Sequence, residues 1–351
     1  AASTTASLAV TALFALAGTV VTAVSDKAIS GEEWSAIALA WGAVVAVFAV
    51  PNKTPQAPLA PVFKWAGGKR RLLPEILPRL NLARAARYVE PFTGGGAAFF
   101  SVVSTWPHAS VLLNDAEPQV ANLYAALRDF PEQVIAEYQR HVVQDSREYF
   151  YWVRKTIGAG LTFAHGSTRV FAPLGFPPSA GLFLYLNKAC FNGLWRVNAR
   201  GQYNVPYGDG KPINVDVRGL LAASRALQGA QITCLDFGTI SLRPGDAVYC
   251  DPPYLPTSKT ASFTGYTRAG FTGADQLRLA AWCRQSADRG ARVVLSNAGN
   301  ADALTCFRER ADEIHEVTAS RSISCKGDKR DNVKEYIFVF GSDCHLRDGA
   351  L

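Results

Sequence analysis

A mixed α/β fold built on one sheet is predicted by three features of this 351-residue sequence. Short apolar runs end abruptly in polar residues, as strands do at the edge of a sheet. Amphipathic segments of helical period separate the runs, as at Asp275–Ala287. A glycine-rich turn joins one run to a segment of small residues. Because strands that alternate with helices form parallel sheets, the polar residues at the strand ends are expected to share one edge.

The first fifty residues form a separate unit with two apolar stretches, Leu8–Val24 and Trp34–Val50, on either side of the charged segment Ser25–Glu33. Each stretch approaches the ~20 residues that cross a bilayer, so residues 1–50 predict a transmembrane helical hairpin with membrane association through residues 8–50. A buried or oligomer-forming helical pair is the alternative. A proline-rich linker, residues 51–61, follows, and Lys53 with later basic residues places the downstream domain on the cytoplasmic side, tethered to the inner face of the membrane.

The first predicted strand of the main domain leads into a glycine turn. An apolar helical stretch, Leu72–Leu80, precedes this strand. The strand and turn run from Tyr88 to Gly96 and continue into the small-residue segment Ala97–Val103. A strand, a glycine loop and a helix in this order form the usual site for a nucleoside-containing cofactor in an open α/β sheet. Asp115 ends the next strand, where an acid can hold a pair of ribose hydroxyls.

The middle of the chain is mostly helical from Val120 to Leu227, which indicates a helical domain inserted at about residues 120–230. The sheet then resumes. Candidate helices are Asn122–Leu127, Pro131–Val142, Tyr149–Ile157 and Gly181–Lys188, with a proline-rich loop at Phe171–Ser179. Later candidate strands are Ile232–Leu235, Val248–Cys250, Val293–Ser296, Ile314–Val317 and Tyr336–Phe340.

The tetrapeptide Asp251-Pro252-Pro253-Tyr254 closes the apolar run Ala247–Cys250 and is the most informative motif. It presents a carboxylate, a rigid carbonyl and a flat ring at the edge of the sheet. The Asp251 carboxylate and the Pro252 carbonyl can accept the two N–H groups of an amine on an aromatic ring. Stacking of Tyr254 on such a ring is worth roughly 1–3 kcal/mol. Taken alone, the motif also fits a proline-rich turn in which Asp251 caps the next segment.

Composition favours a nucleic-acid partner, because 36 Lys and Arg against 29 Asp and Glu give a net charge of +7 and a pI of about 9.0. The seven cysteines form no C-x-x-C pair and indicate reduced thiols of a cytosolic protein. The five histidines lack metal-ligand spacing. No metal site is expected.

These segments together resemble the Dam-type DNA adenine-N6 methyltransferases in which cofactor loop, recognition domain and catalytic tetrapeptide follow in that order. The likeness runs from about Val62 to Phe340, within a domain bounded at residues 62–341 and followed by a tail, residues 342–351. It implies a Rossmann-like, S-adenosylmethionine-dependent methyltransferase sheet with an inserted helical target-recognition domain, acting as a monomer on double-stranded DNA. The matching segments are Phe63–Lys69, Glu90–Gly96, Asn114-Asp115, Leu184–Gly208, Asp251–Tyr254, Ala261–Thr272 and Arg321–Ser324.

The resemblance also implies roles for individual residues. The positions expected to bind S-adenosylmethionine or to build its wall are Trp65, Lys69, Glu90, Phe92, Gly94, Gly96, Asp115 and Asp251. The catalytic pocket is implied to be Asp251, Pro252, Pro253 and Tyr254. Lys64 and Arg196 are implied to read guanines, Leu194 and Pro206 to contact bases, and Phe191 and Asn192 to act where the flipped adenine leaves the duplex. The favoured target is GATC.

Several alternatives stay open from the residues alone. Phe191 and Leu194 fit either the hydrophobic core or a surface loop, and the neighbouring Asn192 and Gly193 favour the loop. Lys188 stands where relatives often carry arginine. This departure bears on the target sequence and leaves the expectation of adenine methylation unchanged. N4-cytosine methylation is disfavoured because Asp251 stands where that pocket usually has serine. A catalytically inactive, membrane-tethered DNA-binding protein is the alternative from another class.

Overall fold

The computed structural model describes residues 59–156, 175–198, 202–208, 210–254, 271–320 and 332–341. The predicted hairpin, most of the linker and the tail lie outside these ranges, as do residues 261–270 and 321–324 of the matching segments. Within the described ranges, no helix has the length and apolar character needed to cross a membrane. The hairpin therefore stays a prediction.

A seven-stranded mixed sheet forms the centre of the domain, in the order β3-β2-β1-β4-β5-β7-β6. Neighbouring strands from β3 to β5 are parallel, whereas β7 runs antiparallel to both β5 and β6. This confirms the predicted mixed α/β sheet. The strands are β1 (Arg87–Glu90), β2 (Val111–Asn114), β3 (Gln231–Thr233), β4 (Asp246–Cys250), β5 (Arg292–Ala298), β6 (Glu313–Ser320) and β7 (Asn332–Phe340).

The strand order changes direction between β1 and β4. From β1 the chain goes outward to β2 and β3 on one side, and it returns to start β4 and β5 on the other. A crevice opens beyond the carboxyl ends of the strands at such a switch point, and ligands of open α/β sheets bind there. Glu90, Asp115 and Asp251 lie at or just after the ends of β1, β2 and β4. Strand pairing therefore brings three acidic residues to one edge.

The helices begin where the local sequence favours helix starts, since α3, α4 and α6 each carry proline in the first turn. Their bounds are α1 (Leu73–Ile76), α2 (Ala97–Thr105), α3 (Pro118–Asp129), α4 (Pro131–Val143), α5 (Arg147–Thr156), α6 (Pro177–Ala189), α7 (Val217–Leu227), α8 (Gly273–Asp288) and α9 (Ala301–Phe307).

Two predicted elements were wrong in extent. The stretch Leu72–Leu80 is one short α-helix followed by a 3-10 turn at Leu77–Leu80, because Pro78 cannot donate the next helical hydrogen bond. The predicted proline-rich loop Phe171–Ser179 overlaps the start of α6, since Pro177 and Pro178 occupy its first turn, where a missing N–H costs nothing. Residues 171–174 of that loop lie outside the described ranges.

Alternate residues of the strands pack on opposite faces of the sheet. Tyr88 and Leu113 face a large apolar cluster that includes Tyr185 of α6, whereas Val89 and Val248 face a second cluster formed with α8 and α9. Helices α3 to α7 lie in sequence between β2 and β3 and share the first cluster with the sheet. The helical segment is thus anchored on the same core that positions the strand ends. The bounds predicted for the insertion, about residues 120–230, stay a prediction.

Candidate active site

Asp251 follows β4 directly and is held on one side only. Lys69 Nζ lies 3.0 Å from its Oδ1, and Ser296 Oγ donates to the same oxygen at 3.1 Å. Burial raises the pKa of Asp251, while the Lys69 charge and the two hydrogen bonds lower it. Among the described residues no partner is found for Oδ2. The second oxygen can therefore accept a hydrogen bond from a ligand.

Lys69 is almost completely buried, with 6% of its side chain exposed, in a pocket lined by acceptors. Its Nζ donates to the Gly67 carbonyl at 2.7 Å, lies 4.0 Å from Glu335 Oε2 and stands 4.5 Å from the centre of the Tyr254 ring. Tyr254 in turn donates its hydroxyl to Glu335 Oε2 at 2.7 Å. A buried ammonium is tolerable only with such compensation. The predicted catalytic residues Asp251 and Tyr254 are thus joined through Lys69 and Glu335.

The Pro253 carbonyl of the tetrapeptide is held by helix α8 with support from strand β5. Gln276 Nε2 donates to the Pro253 carbonyl at 2.9 Å, and Asn297 Nδ2 donates to Gln276 Oε1 at 3.0 Å. Gln276 and Asn297 are both buried. Sequence analysis missed these two residues, together with Ser296 and Glu335. Only the polar end of the predicted strand Val293–Ser296 signalled that side chains there could reach the site.

The glycine turn holds Trp65 and Asp115 together. Gly94 has a positive φ of 46°, and a Cβ there would lie 2.6 Å from Cδ1 of Trp65, so the indole needs a glycine beneath it. Asp115 accepts main-chain N–H bonds from Gly94 at 2.7 Å and from Glu117 at 2.8 Å. Burial raises the pKa of Asp115 to about 6, against the effect of these two bonds. Asp115 is therefore an anion at neutral pH that shapes the turn.

Glu90 is the last residue of β1, and Phe92 follows it at the edge of the crevice. Glu90 is 2% exposed and accepts a hydrogen bond from the Tyr88 hydroxyl at 2.8 Å. Burial, with a further contribution from the Asp251 charge, raises its pKa to about 8. Phe92 lies 5.5 Å from Phe237 and 5.9 Å from Phe271 between ring centres, which makes an apolar wall. Phe237 and Phe271 were also missed, since nothing in the sequence placed them beside Phe92.

The segment predicted to read DNA lies at the surface as a hairpin-like loop after α6. Bridges join Cys190 to Tyr207 and Val197 to Tyr203. Phe191 is 49% exposed, so it lies in a surface loop and outside the core, whereas Leu194 is half-buried. Arg196 Nε donates to Asn204 Oδ1 at 2.8 Å. The other residues of the predicted DNA contact set that are exposed are Lys64, Asn192, Arg196 and Pro206.

Comparison with known proteins decides between the possible uses of this edge. Residues 65–323 match the family described as D12 class N6 adenine-specific DNA methyltransferase, which is well over half of the chain. The chain belongs to this family. It is an adenine-specific DNA methyltransferase, and the Dam-type resemblance is confirmed at this level.

Three relatives illustrate how completely the D12 methyltransferase region is covered. A type II methyltransferase of Methanocaldococcus jannaschii is 35% identical over 294 residues, 80% of this chain and 98% of the relative. The DNA adenine methylase of Vibrio cholerae is 34% identical over 282 residues, 79% of this chain and 94% of the relative. The DNA adenine methylase of Escherichia coli is 32% identical over 279 residues, with the same coverage.

Membership of the D12 methyltransferases implies S-adenosylmethionine as the methyl donor. The residues at the edge fit this molecule. Its two cationic groups suit a crevice with the acids Glu90 and Asp251, its ribose hydroxyls suit Asp115, and its adenine suits the wall beside Phe92. Within the described ranges, no group of His, Cys, Asp and Glu side chains is arranged to hold a metal ion.

Proposed function

We propose that the chain methylates N6 of an adenine that has been flipped out of duplex DNA, with Asp251 and the Pro252 carbonyl holding the amine. The observation that carries this proposal is the asymmetry of Asp251. Lys69 and Ser296 both bind Oδ1, and the described residues supply no partner for Oδ2. An adenine amine is a poor nucleophile because its lone pair is delocalised. Two acceptors on its N–H groups draw the nitrogen toward the tetrahedral geometry that attack requires.

Lys69 has a distinct part in this proposal. The Asp251 side chain is only 20% exposed, and an unpaired carboxylate there would take up a proton and cease to be a pure acceptor. The ammonium at 3.0 Å favours the ionised form and opposes the rise in the pKa of Asp251 that burial causes. Because Lys69 binds Oδ1, it does so without occupying the oxygen offered to the base. Tyr254, beside the same ammonium, is assigned to stack on the flipped adenine.

The cofactor is assigned to the crevice between β1 and β4, where it supplies the electrophilic methyl group. Trp65 and Phe92 would enclose it, Gly94 and Gly96 would allow its close approach, and the acids Glu90 and Asp115 would bind its polar groups. Lys69, Asp251 and the tetrapeptide would then act by proximity. They would hold the adenine amine beside the methyl group, so that transfer proceeds as an intramolecular reaction does.

Recognition of DNA is assigned to the loop after α6 and to Lys64. Asn204 holds the Arg196 guanidinium from its Nε side, which orients the two terminal nitrogens for a bidentate contact with guanine. Exposed Phe191, with Asn192, suits the gap that the flipped base leaves in the stack. Filling that gap offsets part of the cost of flipping, which is a few kcal/mol. Leu194 and Pro206 are assigned to base contacts. The proposed target is GATC.

The test is to incubate the purified chain with unmethylated DNA and S-adenosylmethionine and to map modified bases by single-molecule sequencing. The expected result is N6-methyladenine within one short motif, GATC. N6-methyladenine at another motif would leave the reaction standing and overturn the target. N4-methylcytosine, or no product despite binding of cofactor and DNA, would overturn the reaction itself.

Replacement of Asp251 by alanine is the matched variant for this assay. Asp251→Ala is expected to lower kcat by ~10²–10³-fold, since the loss of one hydrogen-bonding group at a developing charge has effects of this order, with affinity for duplex DNA nearly unchanged. Asp288→Ala is the control, because Asp288 is an exposed acid of α8 whose one ion pair among the described residues is with Arg284. Normal turnover of Asp251→Ala refutes the assignment.

A further inference from the structure

A single buried asparagine connects the start of the domain to the loop after α6 that carries Phe191 to Pro206 and is assigned to DNA recognition, named here the DNA-reading loop. Asn187, near the end of α6, is completely buried. Its Oδ1 accepts from the Lys64 main-chain N–H at 3.0 Å, and its Nδ2 donates to the Lys64 carbonyl at 2.9 Å and to the Gly193 carbonyl at 3.1 Å. All three bonds depend on one orientation of the amide. Movement of Lys64 away from Gly193 therefore breaks at least one of them in a place that water does not reach.

The side chain of Lys64 reinforces this connection. A Cβ on Gly193 would lie 2.7 Å from Cβ and 2.6 Å from Cδ of Lys64, so the lysine stem lies directly on the glycine. Gly193 also has a positive φ of 66°. Three aromatic rings add a second contact between the two segments. The Phe63 ring centre lies 5.2 Å from that of Phe183, which lies 4.7 Å from that of Trp195 in the loop. Hydrogen bonds to main chain and apolar packing thus join the two segments.

The same short segment reaches the cofactor crevice and the catalytic acid. Trp65, the next residue after Lys64, lies against Gly94 of the glycine turn. Lys69, four residues further on, is ion-paired with Asp251 at 3.0 Å. A continuous set of contacts therefore runs from Trp65 through Lys64 and Asn187 to the loop that carries Phe191 and Arg196.

We propose that Asn187 is a positioning residue that couples target recognition to cofactor binding. Resting on the proposed function, this inference states that the cofactor orders residues 64–69, that Asn187 passes this order to the loop, and that DNA therefore binds more tightly once the cofactor is present. Coupling between two ligands is reciprocal, so DNA must tighten cofactor binding by the same factor.

The test is a set of four affinity measurements on the purified full-length chain. The dissociation constant for a duplex that contains the mapped target is measured with and without saturating S-adenosylhomocysteine, which cannot react, and the converse pair is measured for this product with and without DNA. Wild type is expected to show a coupling factor of about 5–150-fold. In Asn187→Ala this factor falls close to 1, while the affinity for S-adenosylhomocysteine alone stays nearly unchanged.

Asn122→Ala is the matched control. Asn122 is also a buried asparagine whose amide makes three bonds to main chain, in this case with Gly175 and Phe176. It is expected to lose comparable stability and to keep wild-type coupling. A purely structural role for Asn187 predicts that both variants behave alike, so equal coupling factors in the two overturn the inference.

Gly193→Ala tests the same connection from the loop, and it decides the matter if Asn187→Ala does not fold. A methyl group there displaces the stem of Lys64 and is expected to lower the coupling factor. Unchanged coupling in a folded Gly193→Ala protein overturns the inference. Wild type that methylates DNA without coupling also overturns it and leaves the proposed function intact. Wild type that binds no S-adenosylhomocysteine and methylates nothing refutes the proposed function, and the inference falls with it.

Discussion

The proposed role of Asp251 requires an ionised carboxylate in a place that disfavours its charge. Burial raises its pKa, and the donors on Oδ1, Lys69 Nζ at 3.0 Å and Ser296 Oγ at 3.1 Å, oppose that effect. One hydrogen bond of 2.9 Å joins Ser296 Oγ to the Tyr249 hydroxyl, and it fixes the orientation of the Ser296 side chain. The reactivity of the acid is therefore set by residues outside the tetrapeptide.

Ser296→Ala is expected to move the acid limb of the pH profile of kcat to higher pH. The loss of the hydrogen bond removes one of the influences that lower the pKa of Asp251, so the carboxylate forms only at higher pH. A fall in kcat of about tenfold should accompany the shift, equivalent to ~1.4 kcal/mol. The measurement is kcat between pH 5 and 9. Ser224→Ala, at a buried serine of α7, is the control, and an acid limb that stays in place contradicts the prediction.

Glu90 is expected to release a proton when the cofactor binds at pH 7. In the free protein its pKa is about 8, so the carboxyl is mostly protonated, and the cationic groups of S-adenosylmethionine lower that pKa. Calorimetric titration in two buffers of different ionisation enthalpy measures the number of protons released. The release should be close to one in wild type and nearly absent in Glu90→Gln.

Two comparisons test that assignment. Glu117→Gln is the control for proton release, because burial raises the pKa of Glu117 to about 8 as well. The folded-state pKa of Glu90 lies above its ordinary value of 4.5, so its stabilising contribution is complete below that value and is lost as pH rises toward 8. Glu90→Gln should therefore gain Tm relative to wild type between pH 5 and pH 8. Equal proton release in wild type and Glu90→Gln contradicts the prediction.

At the scale of elements, helix α8 acts as a support for the catalytic tetrapeptide. A capping box between Thr272 and Asp275 fixes its start, and Gln276 in the next position reaches the Pro253 carbonyl. Asn297 at the end of β5 orients Gln276. The helix thus links the loop after β4 to the end of β5.

Gln276→Ala is expected to lower kcat by about tenfold with little change in cofactor affinity. The substitution leaves the Pro253 carbonyl without this donor, and an unsatisfied buried group costs about 1–3 kcal/mol, part of which appears as lost order in the tetrapeptide. Single-turnover kinetics and a cofactor titration separate the two effects. Gln285→Ala, at an exposed glutamine of the same helix, is the control. A loss of cofactor affinity without a loss of kcat contradicts this role.

Sequence patterns located the strands within about two residues in most cases, because each strand end carries local signals. The apolar run before Asp251 and the glycines after Phe92 needed no tertiary information. Ser296, Glu335 and Asn187 act through partners 45, 81 and 123 residues away, and their roles depend on which strands and helices become neighbours. The prediction missed the 3-10 turn after α1 for a local reason, because the apolar pattern is helical and only Pro78 interrupts it.

At the scale of the whole molecule, positive charge gathers near the DNA-reading loop. Lys64, Lys188 and Arg196 are exposed at the surface. Partial burial of the Lys188 ammonium, together with the charge of Lys64, lowers the pKa of Lys188. Two ammonium groups that raise each other's electrostatic energy attract an anion. The net charge of +7 adds a general attraction for DNA.

The affinity for duplex DNA is expected to fall steeply with salt, with a slope of about −0.9 in log K against log salt for each phosphate contact. Lys188→Ala should reduce the magnitude of that slope by about one and weaken binding evenly across sequences. The measurement is a titration series between 50 and 300 mM salt. Arg289→Ala, at the exposed end of α8, should leave the slope unchanged. A sequence-dependent loss in Lys188→Ala contradicts a pure phosphate contact.

The pairing of β1 with β4 has a consequence for synthesis of the protein. Arg87 and Asp246, joined by a buried ion pair at 2.6 Å, are 159 residues apart. At roughly 5–20 residues per second, a ribosome takes about 10–30 s to pass from one to the other. During that interval β2 and helices α3 to α7 are synthesised, and all of them precede β4, the strand that pairs with β1 and completes the crevice. The segment assigned to DNA recognition is therefore synthesised before the tetrapeptide assigned to catalysis.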